Sequence, residues 1–463
     1  MSEDMKELRR QLFTAAKNGY DRIGEKDLAA MEPYCHSYKQ FLNRGKTERE
    51  CALYSIELAE AHGFVPYQRG MKLQPGDKVY RLNRGKSLML AVIGSESMAN
   101  GANIVASHID SPRLDLKPTP LYEDGEMAYF KTHYYGGIRK YQWVTIPLEV
   151  RGVVALKGGE TVRVVLGEGD ESKFVITDLL PHLGAEQGKK PLNEAIPGEN
   201  LNVLLGSRPL GEEDDKDRFK LQILNRLHEK YGIVEDDLIS AELEVVPHAK
   251  ATDIGLDASL IGAYGHDDRV CAFAALQSIL DIAVPRKTAV CMLADKEEIG
   301  SMGVTGMQSA AFDTFMEDLC ESQGVALRVC YENAFCLSSD VTAAFDPNFA
   351  DVFDKRNAAR INYGMGLCKY TGARGKSGSS DAGAETVAYV RRVLDEADVI
   401  WQMSELGKVD AGGGGTVAQF MANRNIATLD AGVPVLSMHA PFETVSKLDC
   451  YMTYKGCKAV YEA

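Results

Sequence analysis

The sequence lacks the long apolar runs and the paired cysteines that characterise membrane spans and small metal-binding modules. None of its 463 residues lies in an apolar run of about 18, so we expect no membrane-spanning helix and no membrane partner. The first twenty residues are charged and helical in pattern, and they contain no apolar core of a secretory signal. The ten cysteines are scattered singly, without a C-x-x-C pair. These absences predict a cytoplasmic protein with reduced thiols.

Positive charge is scarce as well. The chain has 52 basic and 66 acidic residues, a formal net charge of −14, and such a surface repels phosphate backbones. We therefore expect no nucleic-acid partner. The glycine tract Gly412–Gly415 is not followed by the Gly-Lys-Ser/Thr of a phosphate-binding loop. The hydrophobic content of 45% is that of an ordinary globular protein, and the length suffices for two domains.

The chain begins with an α/β pattern. Thr47 and Glu50 have the spacing of a capping box before a predicted helix that ends near Gly63. Two apolar runs of strand length follow, Ser87–Gly94 and Asn103–Ser107. The Asn-Gly pair at 100–101 between them predicts a turn, and a hairpin is one interpretation.

A β-rich segment interrupts this pattern. From about residue 112 to 254 the sequence has short β-like stretches broken by glycine, with one helix-like segment at 214–231. From about Gly255 the α/β pattern resumes. We therefore predict an α/β fold in which residues 1–111 and 255–463 form one domain and residues 112–254 form an inserted β-rich unit.

Polar side chains stand at the ends of four predicted strands and at the start of one predicted helix. In α/β sheets, ligands bind beyond the carboxyl ends of the strands, so these residues can converge although they are far apart in the chain. The residues are His108 and Asp110, Asp267, Glu297 and Glu298, Asp340, and His439.

The residue types predict a site for two divalent metal ions. Two histidines and three carboxylates (His108, Asp267, Glu298, Asp340 and His439) suit two Zn²⁺ ions, with Asp267 bridging them. Three negative charges then face two dications, and the residual positive charge favours a bound hydroxide over water.

Two neighbouring residues complete the predicted chemistry. Glu297, which is left without a metal, can take a proton from that water and pass it to a leaving amine. Asp110 can accept the second ring N–H of His108 and so fix its tautomer.

Each of these residues also has a simpler interpretation. Asp267 can be a helix N-cap, Glu297 and Glu298 a solvated pair, Asp340 a turn cap and His439 a core histidine. Taken together, these interpretations require five coincidences at predicted strand or helix ends. His266, beside Asp267, is a possible spare ligand, and we favour a structural role for it.

Five segments of the chain resemble the aspartyl aminopeptidase / vacuolar aminopeptidase I family of dinuclear zinc peptidases. They occur in the family's order and keep the local context of its H-x-D, D-D, E-E, D and M-H elements. The segments are SHIDSPRLDLKP (107–118), HDDRVCAF (266–273), ADKEEIGS (294–301), SSDVTAAFDPNF (338–349) and the run from Gly412 to Glu443 that contains LSMHAPFE.

The resemblance implies a metal-dependent aminopeptidase that removes an acidic or neutral N-terminal residue. It implies that His108 and Asp340 hold one metal ion and that Glu298 and His439 hold the other. Asp267 bridges the two ions in this arrangement, Glu297 is the general base and Asp110 supports the ligands. Zn²⁺ is the expected ion, with Mn²⁺ and Co²⁺ as alternatives.

The resemblance also implies an architecture and an assembly. It implies a three-layer α/β metallopeptidase domain that carries an inserted β-rich dimerisation domain, and a tetrahedral homo-dodecamer with an enclosed chamber. In that family a histidine of the inserted domain enters a neighbouring active site, and the matching segment here, LLPHLGAEQGKKPLNE, makes His182 the candidate.

The sequence departs from the family at two places. Asp268 stands where the family often has asparagine, which adds a charge beside the bridging position. The segment YTGARGKSGSSDAGA (370–384) matches the acid-preferring members only loosely, so Lys369, Arg374 and Lys376 are substrate contacts in one interpretation and surface residues in the other.

Two other functions remain open at this point. A related deacylase or dipeptidase shares the same ligand pattern and would be distinguished by its action on N-acyl substrates. A non-catalytic structural shell would hydrolyse nothing, although the intact Glu297 beside a complete ligand set argues against it.

Overall fold

The computed structural model describes residues 3–14 and 16–463. It is a mixed α/β molecule with three β-sheets. In the described residues there are eleven α-helices, numbered in chain order: α1 (Glu3–Leu12), α2 (Glu25–Arg44), α3 (Glu48–Ala61), α4 (Leu192–Ala195), α5 (Arg218–Tyr231), α6 (His266–Leu280), α7 (Ala311–Glu321), α8 (Leu327–Asn333), α9 (Ala384–Glu396), α10 (Ala418–Ala422) and α11 (Lys447–Glu462).

The largest sheet has nine strands and is mixed in direction. Its spatial order is β1 (Val65–Pro66), β2 (Lys78–Asn83), β3 (Ser87–Val92), β13 (Thr288–Ala294), β4 (Ala102–His108), β14 (Phe335–Ser338), β18 (Ala427–Gly432), β16 (Met365–Cys368) and β17 (Trp401–Met403). The strands β13, β4, β14 and β18 are parallel neighbours, so their carboxyl ends meet at one edge of the sheet.

Helices cover both faces of this sheet and give it three layers. Alternate residues of β3 and β4 point into two separate apolar clusters, as the two-residue period of a strand requires. Helices α2, α3, α6, α9 and α11 pack on one face, and α7, α8 and α10 pack on the other. The three-layer α/β fold expected from the sequence is therefore what the chain forms.

The hairpin interpretation of residues 87–107 is wrong. Strand β13 lies between β3 and β4, antiparallel to the first and parallel to the second. The Asn-Gly pair does lie in a turn, because Gly101 has φ 93°, a value that favours glycine. Between β3 and β4 the chain passes over the width of one strand. Strand β13 later occupies that position, and the local sequence carries no signal for it.

A six-stranded antiparallel sheet is drawn entirely from residues 113–247. Its spatial order is β8 (Thr161–Leu166), β7 (Leu148–Ala155), β10 (Ala241–Pro247), β5 (Arg113–Asp124), β6 (Met127–Tyr135) and β9 (Val203–Gly206). It has its own apolar cluster, and α5 packs against it. The helix predicted at 214–231 begins at Arg218.

Buried ion pairs join this sheet to the three-layer body. Arg151 of β7 lies 3.0 Å from Glu50 of α3, and both side chains are buried. Lys46, just before α3, donates from Nζ to the main-chain oxygens of Pro247 and His248 at 2.6 and 2.9 Å. Because a buried charge without a partner is costly, these contacts hold the two parts in one relative position.

The third sheet is small and lies beside the metal-ligand candidates. It has five strands in the order β11 (Thr252–Ile254), β12 (Leu260–Ala263), β20 (Glu443–Ser446), β19 (Pro434–Leu436) and β15 (Thr342–Ala343). The capping box predicted at the start of α3 is present in part, since Thr47 Oγ1 accepts from the main-chain N–H of Glu50.

All ten cysteines are buried and unpaired. Among the helices of the described residues, none combines the length and the apolar character that crossing a lipid bilayer requires.

Candidate metal centre

The carboxyl ends of the parallel strands bring His108 and Asp340 together. His108 is the last residue of β4, and Asp340 lies two residues beyond the neighbouring strand β14. His108 Nε2 lies 3.8 Å from Asp340 Oδ1, and both side chains are buried. The rule that polar residues at strand ends converge therefore held for this pair.

Asp267 stands between the two histidines. It lies at the start of α6, and its Oδ1 is 3.3 Å from His108 Nε2 while its Oδ2 is 3.1 Å from His439 Nε2. Each carboxylate oxygen therefore faces a different imidazole, so that one side chain lies between the two histidines. Burial raises the pKa of Asp267. The hydrogen bonds and charges of the two histidines lower it by more, so the pKa lies below its usual value.

Five of the sequence-predicted residues form two groups of possible metal ligands that share Asp267. One group is His108, Asp267 and Asp340, and the other is Asp267, Glu298 and His439. Within each group the ligand atoms lie within 4.8 Å of one another. Glu298 Oε1 is buried without a hydrogen-bond partner, although it lies 3.6 Å from His439 Nε2. A buried carboxylate oxygen without a donor fits a position that faces a cation.

Glu297 and Glu298 lie in a single 3₁₀ turn (Glu297–Ile299) after β13. Their main-chain N–H groups donate to Oδ1 and Oδ2 of Asp110 at 3.1 and 3.2 Å. Glu297 Oε2 is 4.0 Å from His108 Nε2. Burial, together with the charges of Asp110 and Asp267, raises the pKa of Glu297 to about 7.

Asp110 also orients His108. Nδ1 of His108 lies 3.0 Å from the main-chain oxygen of Asp110 and 3.3 Å from its Oδ1. An N–H on Nδ1 donates to these acceptors, so the lone pair of Nε2 points to the ligand group. The Asp110 carboxylate also accepts a hydrogen bond from the hydroxyl of Tyr135, the last residue of β6, at 2.8 Å.

Residues that no sequence pattern singled out hold the second histidine in place. His439 Nδ1 donates to the main-chain oxygen of Gly137 at 2.8 Å, and its main-chain N–H donates to Glu443 Oε1 at 2.6 Å. The other oxygen of Glu443 accepts from the main-chain N–H of Asp267 at 3.1 Å. Glu443 therefore ties together the backbones of two candidate ligands.

Two glycines let the β-rich sheet approach the ligands closely. A Cβ on Gly136 would lie 3.2 Å from the Glu298 side chain, and a Cβ on Gly137 would lie 3.2 Å from His439 Nδ1. Gly136 also has φ 75°, which a residue with a side chain adopts with strain. The Gly-Gly pair after a strand is the one sequence signal that points to this contact.

A cavity of about 650 Å³ opens over the candidate ligands. Besides these ligands and Glu297, its walls are largely neutral side chains and glycines. The neutral side chains are Gln308, Val341, Thr342, Cys368, Thr371, Leu406, Thr416, Gln419, Phe420 and Met438.

Several residues considered in the sequence lie away from this cavity. His182 is exposed in a short 3₁₀ turn (Pro181–Leu183) and does not line it. Lys369, Arg374 and Lys376 do not line it either, and Lys376 pairs with Asp381 at 3.0 Å. His266 is a buried structural residue, because its two ring nitrogens contact the Tyr38 hydroxyl and the main-chain oxygen of Ile261.

Comparisons with known proteins give one consistent result. A family model described as aminopeptidase I zinc metalloprotease (M18) matches residues 41–461. A probable M18 family aminopeptidase 1 of Clostridium acetobutylicum is 46% identical over 457 residues, covering 97% of this chain and 98% of the relative.

Solved structures agree with the sequence comparisons. The crystal structure of an M18 family aminopeptidase from Thermotoga maritima matches with a TM-score of 0.93 and 42% identity, covering 97% of this chain and all of the other. The mApe1 dodecamer of S. cerevisiae matches with a TM-score of 0.74 and 21% identity, covering 92% of this chain and 97% of that one, which indicates a shared fold.

Proposed function

The chain belongs to the aminopeptidase I zinc metalloprotease (M18) family, and from this premise we propose that it removes neutral N-terminal residues from peptides at the centre described above. It is a metallo-aminopeptidase, which is a hydrolase and an exopeptidase. The single observation that carries the site assignment is the pair of ligand groups that share Asp267 beneath the cavity.

We propose two divalent ions, with Zn²⁺ as the first candidate and Mn²⁺ and Co²⁺ as alternatives. The family description names zinc, and histidine with carboxylate ligands suits it. His108 and Asp340 would hold one ion, Glu298 and His439 the other, and Asp267 both. Bound ions would supply Lewis acidity to the scissile carbonyl and to the attacking water. Metal analysis of protein reconstituted with zinc should approach two ions per chain.

The protein's own side chains have separate tasks in this proposal. Glu297 takes a proton from the attacking water and delivers it to the amine that leaves. Asp110 accepts hydrogen bonds from the main-chain N–H of Glu297 and from the ring of His108. These contacts fix the position of the proposed base relative to one candidate ligand.

The lining of the cavity supports a neutral N-terminal residue over an acidic one. An acidic side chain that leaves water needs a cationic partner, and among the described residues the lysines and arginines nearest along the wall, Arg374, Lys376 and Lys408, line an adjoining cavity that meets this one at Thr371 and Leu406. Leu406, Phe420 and Met438 instead offer apolar contacts.

A panel of aminoacyl chromogenic substrates tests this assignment. Leucyl and methionyl substrates should be hydrolysed with higher kcat/KM than aspartyl and glutamyl substrates when the zinc, manganese or cobalt form is assayed. Acetylated peptides serve as the control, because an aminopeptidase requires a free α-amine. Equal cleavage of acetylated and free peptides would favour a deacylase, and a preference for acidic residues would refute the specificity.

The assembly and the domain arrangement belong to the same proposal. Residues 112–254 form an inserted dimerisation domain, and the chain assembles into a tetrahedral homo-dodecamer in which His182 reaches a neighbouring site. The likeness to the mApe1 dodecamer supports this assembly. Apolar side chains around His182 support it too, since Leu179, Leu180, Leu183 and Leu192 are exposed in the single chain. Light scattering should give a mass twelve times that of the chain.

We also propose a cytoplasmic location. Ten buried cysteines without a disulfide suit a reducing compartment. Immunogold labelling or fractionation of the source cells would test it, and recovery outside the cytoplasm would contradict it.

A further inference from the structure

A second cavity, also of about 650 Å³, lies apart from the metal centre. Its walls come from Thr14, Ala16, Lys17 and Arg22, from residues 355–363, from helix α9 and from strand β17. It shares no lining residue with the catalytic cavity. Nothing in the proposed peptidase reaction requires it.

Positive charge is concentrated around this cavity, which we call the basic cavity. Its lining contains a single carboxylate, that of Asp395, and this group already accepts a hydrogen bond from Trp401 Nε1 at 2.8 Å. Six cationic residues line it: Lys17, Arg22, Lys355, Arg356, Arg360 and Arg391. Such a local excess is unexpected in a chain with a formal net charge of −14.

Among the described residues these six cations form no close ion pair, although the charge of Arg356 acts on the nearby carboxylate of Asp354. Across residues 3–14 and 16–463, none of them lies within 4.0 Å of a carboxylate oxygen. Less exposed arginines elsewhere in the chain are paired, such as Arg424 with Asp313 at 2.7 Å and Arg151 with Glu50 at 3.0 Å, whereas the six cations of the basic cavity are exposed. Like charges that surround one concavity repel each other, and an anion inside it would remove that repulsion.

Two aromatic rings lie in the same wall. Arg391 stands over Trp401 and Arg360 stands over Tyr363, each with its guanidinium carbon 5.6 Å from the ring centre. Guanidinium groups bind phosphate through paired N–H donors, and they also stack on planar rings. The wall therefore combines donors for phosphate with flat surfaces for a base.

We propose that the basic cavity binds a phosphorylated small molecule of nucleotide size. Its volume is in the range of small-ligand sites, which is about 300–1,000 Å³. The arginines and lysines would neutralise the phosphates, and Trp401 and Tyr363 would contact a base. Inorganic polyphosphate carries the same phosphate groups as a nucleotide but has no base. Comparing the binding of the two therefore distinguishes them.

Isothermal titration of the zinc-loaded protein tests the proposal. The probes are ATP, inorganic triphosphate and adenosine, in excess Mg²⁺ so that the phosphates do not extract the zinc. Peptidase activity before and after titration verifies that the metal centre is intact. The test variant is the double substitution Arg360→Ala with Arg391→Ala. The control is Arg392→Ala, which removes an adjacent exposed arginine that does not line the cavity.

The expected result is submillimolar binding of ATP, weaker binding of triphosphate and none of adenosine. Loss of charged hydrogen bonds should weaken ATP binding at least about tenfold in the double variant and leave the control unchanged. Triphosphate binding as tight as that of ATP would refute the contact with a base. Absence of binding by ATP and triphosphate at millimolar concentration, or equal losses in variant and control, would overturn the site. Because binding is measured directly, neither outcome bears on the peptidase assignment.

Discussion

The hydroxyl of Tyr135 donates a hydrogen bond of 2.8 Å to the carboxylate of Asp110 and so links the β-rich sheet to the metal centre. Tyr135 ends β6 of the β-rich sheet, whereas Asp110 lies two residues beyond β4 of the nine-stranded sheet. Arg113 lies over the Tyr135 ring with its guanidinium carbon 3.8 Å from the ring centre. Arg113 in turn contacts Asp115 and Glu244 at 2.8 and 3.1 Å. The position of Asp110 therefore depends on charges in the neighbouring sheet.

Replacement of Tyr135 by phenylalanine should weaken metal binding. The change removes one of the hydrogen bonds that hold Asp110, and loss of such a supporting contact typically costs about 10–100-fold in metal affinity or activity. Competition with a zinc indicator measures the affinity. Tyr134→Phe is the matched control, because that neighbouring ring is exposed. An unchanged affinity in Tyr135→Phe would limit its role to packing.

Glu297→Gln should abolish most turnover and leave the metal content unchanged. A positioned acid–base group contributes about 10²–10⁴-fold in rate, and Glu297 is assigned no metal. The paired variant Glu298→Gln should lose metal affinity, since it removes a ligand oxygen. Metal analysis and single-turnover rates of both proteins separate the two roles. The reverse pattern would exchange the assignments of these two residues.

Removal of the metals should lower the melting temperature. Asp267, Glu298 and Asp340 lie close together and buried, and burial raises the pKa of Glu298 and of Asp340 well above the usual range. Ions at 100 times their Kd stabilise the folded state by about 2.7 kcal/mol per site. Melting in chelator and after return of zinc measures the effect, and Glu298→Gln should recover less. Identical melting curves in both conditions would argue against a structural contribution of the ions.

His182→Ala should retain the assembly and the metals but lose activity, because His182 is proposed to act in a neighbour's site. Loss of one hydrogen-bond donor to a developing oxyanion costs roughly 10²–10³ in kcat. Mixed assemblies with Glu297→Gln should recover part of the activity, since some sites then contain both residues. His228→Ala, an exposed histidine of α5, is the control. Full activity of His182→Ala, or no recovery after verified mixing, would return His182 to a surface-loop role.

The sequence predicted the parts of the centre that follow from local rules. His108 ends a strand and Asp267 begins a helix, and such positions can be read from apolar runs and their polar ends. The structure brings both together with Asp340 and His439. The roles of these residues in metal binding and catalysis remain predictions, because they concern ions and substrates.

The supporting contacts could not be predicted in the same way. Tyr135 and Gly137 come from the β-rich segment, and Gly137 contacts a histidine 302 residues further along the chain. No periodic pattern encodes such a separation. The order of β3, β13 and β4 was missed for the same reason, since the strand that fills the gap follows about 180 residues later, after the β-rich segment.

The reactivity of the ten buried thiols can report local unfolding of the protein. Burial raises the pKa of Cys51, Cys291 and Cys457 to about 12, whereas the pKa of a thiol in an unfolded chain is about 8.5. Alkylating agents react with the thiolate form. In native buffer these cysteines therefore react only in molecules whose surrounding structure has opened. The modification rate of each cysteine, read by mass spectrometry, would report the opening free energy of its own region, from α2 at Cys35 to α11 at Cys457.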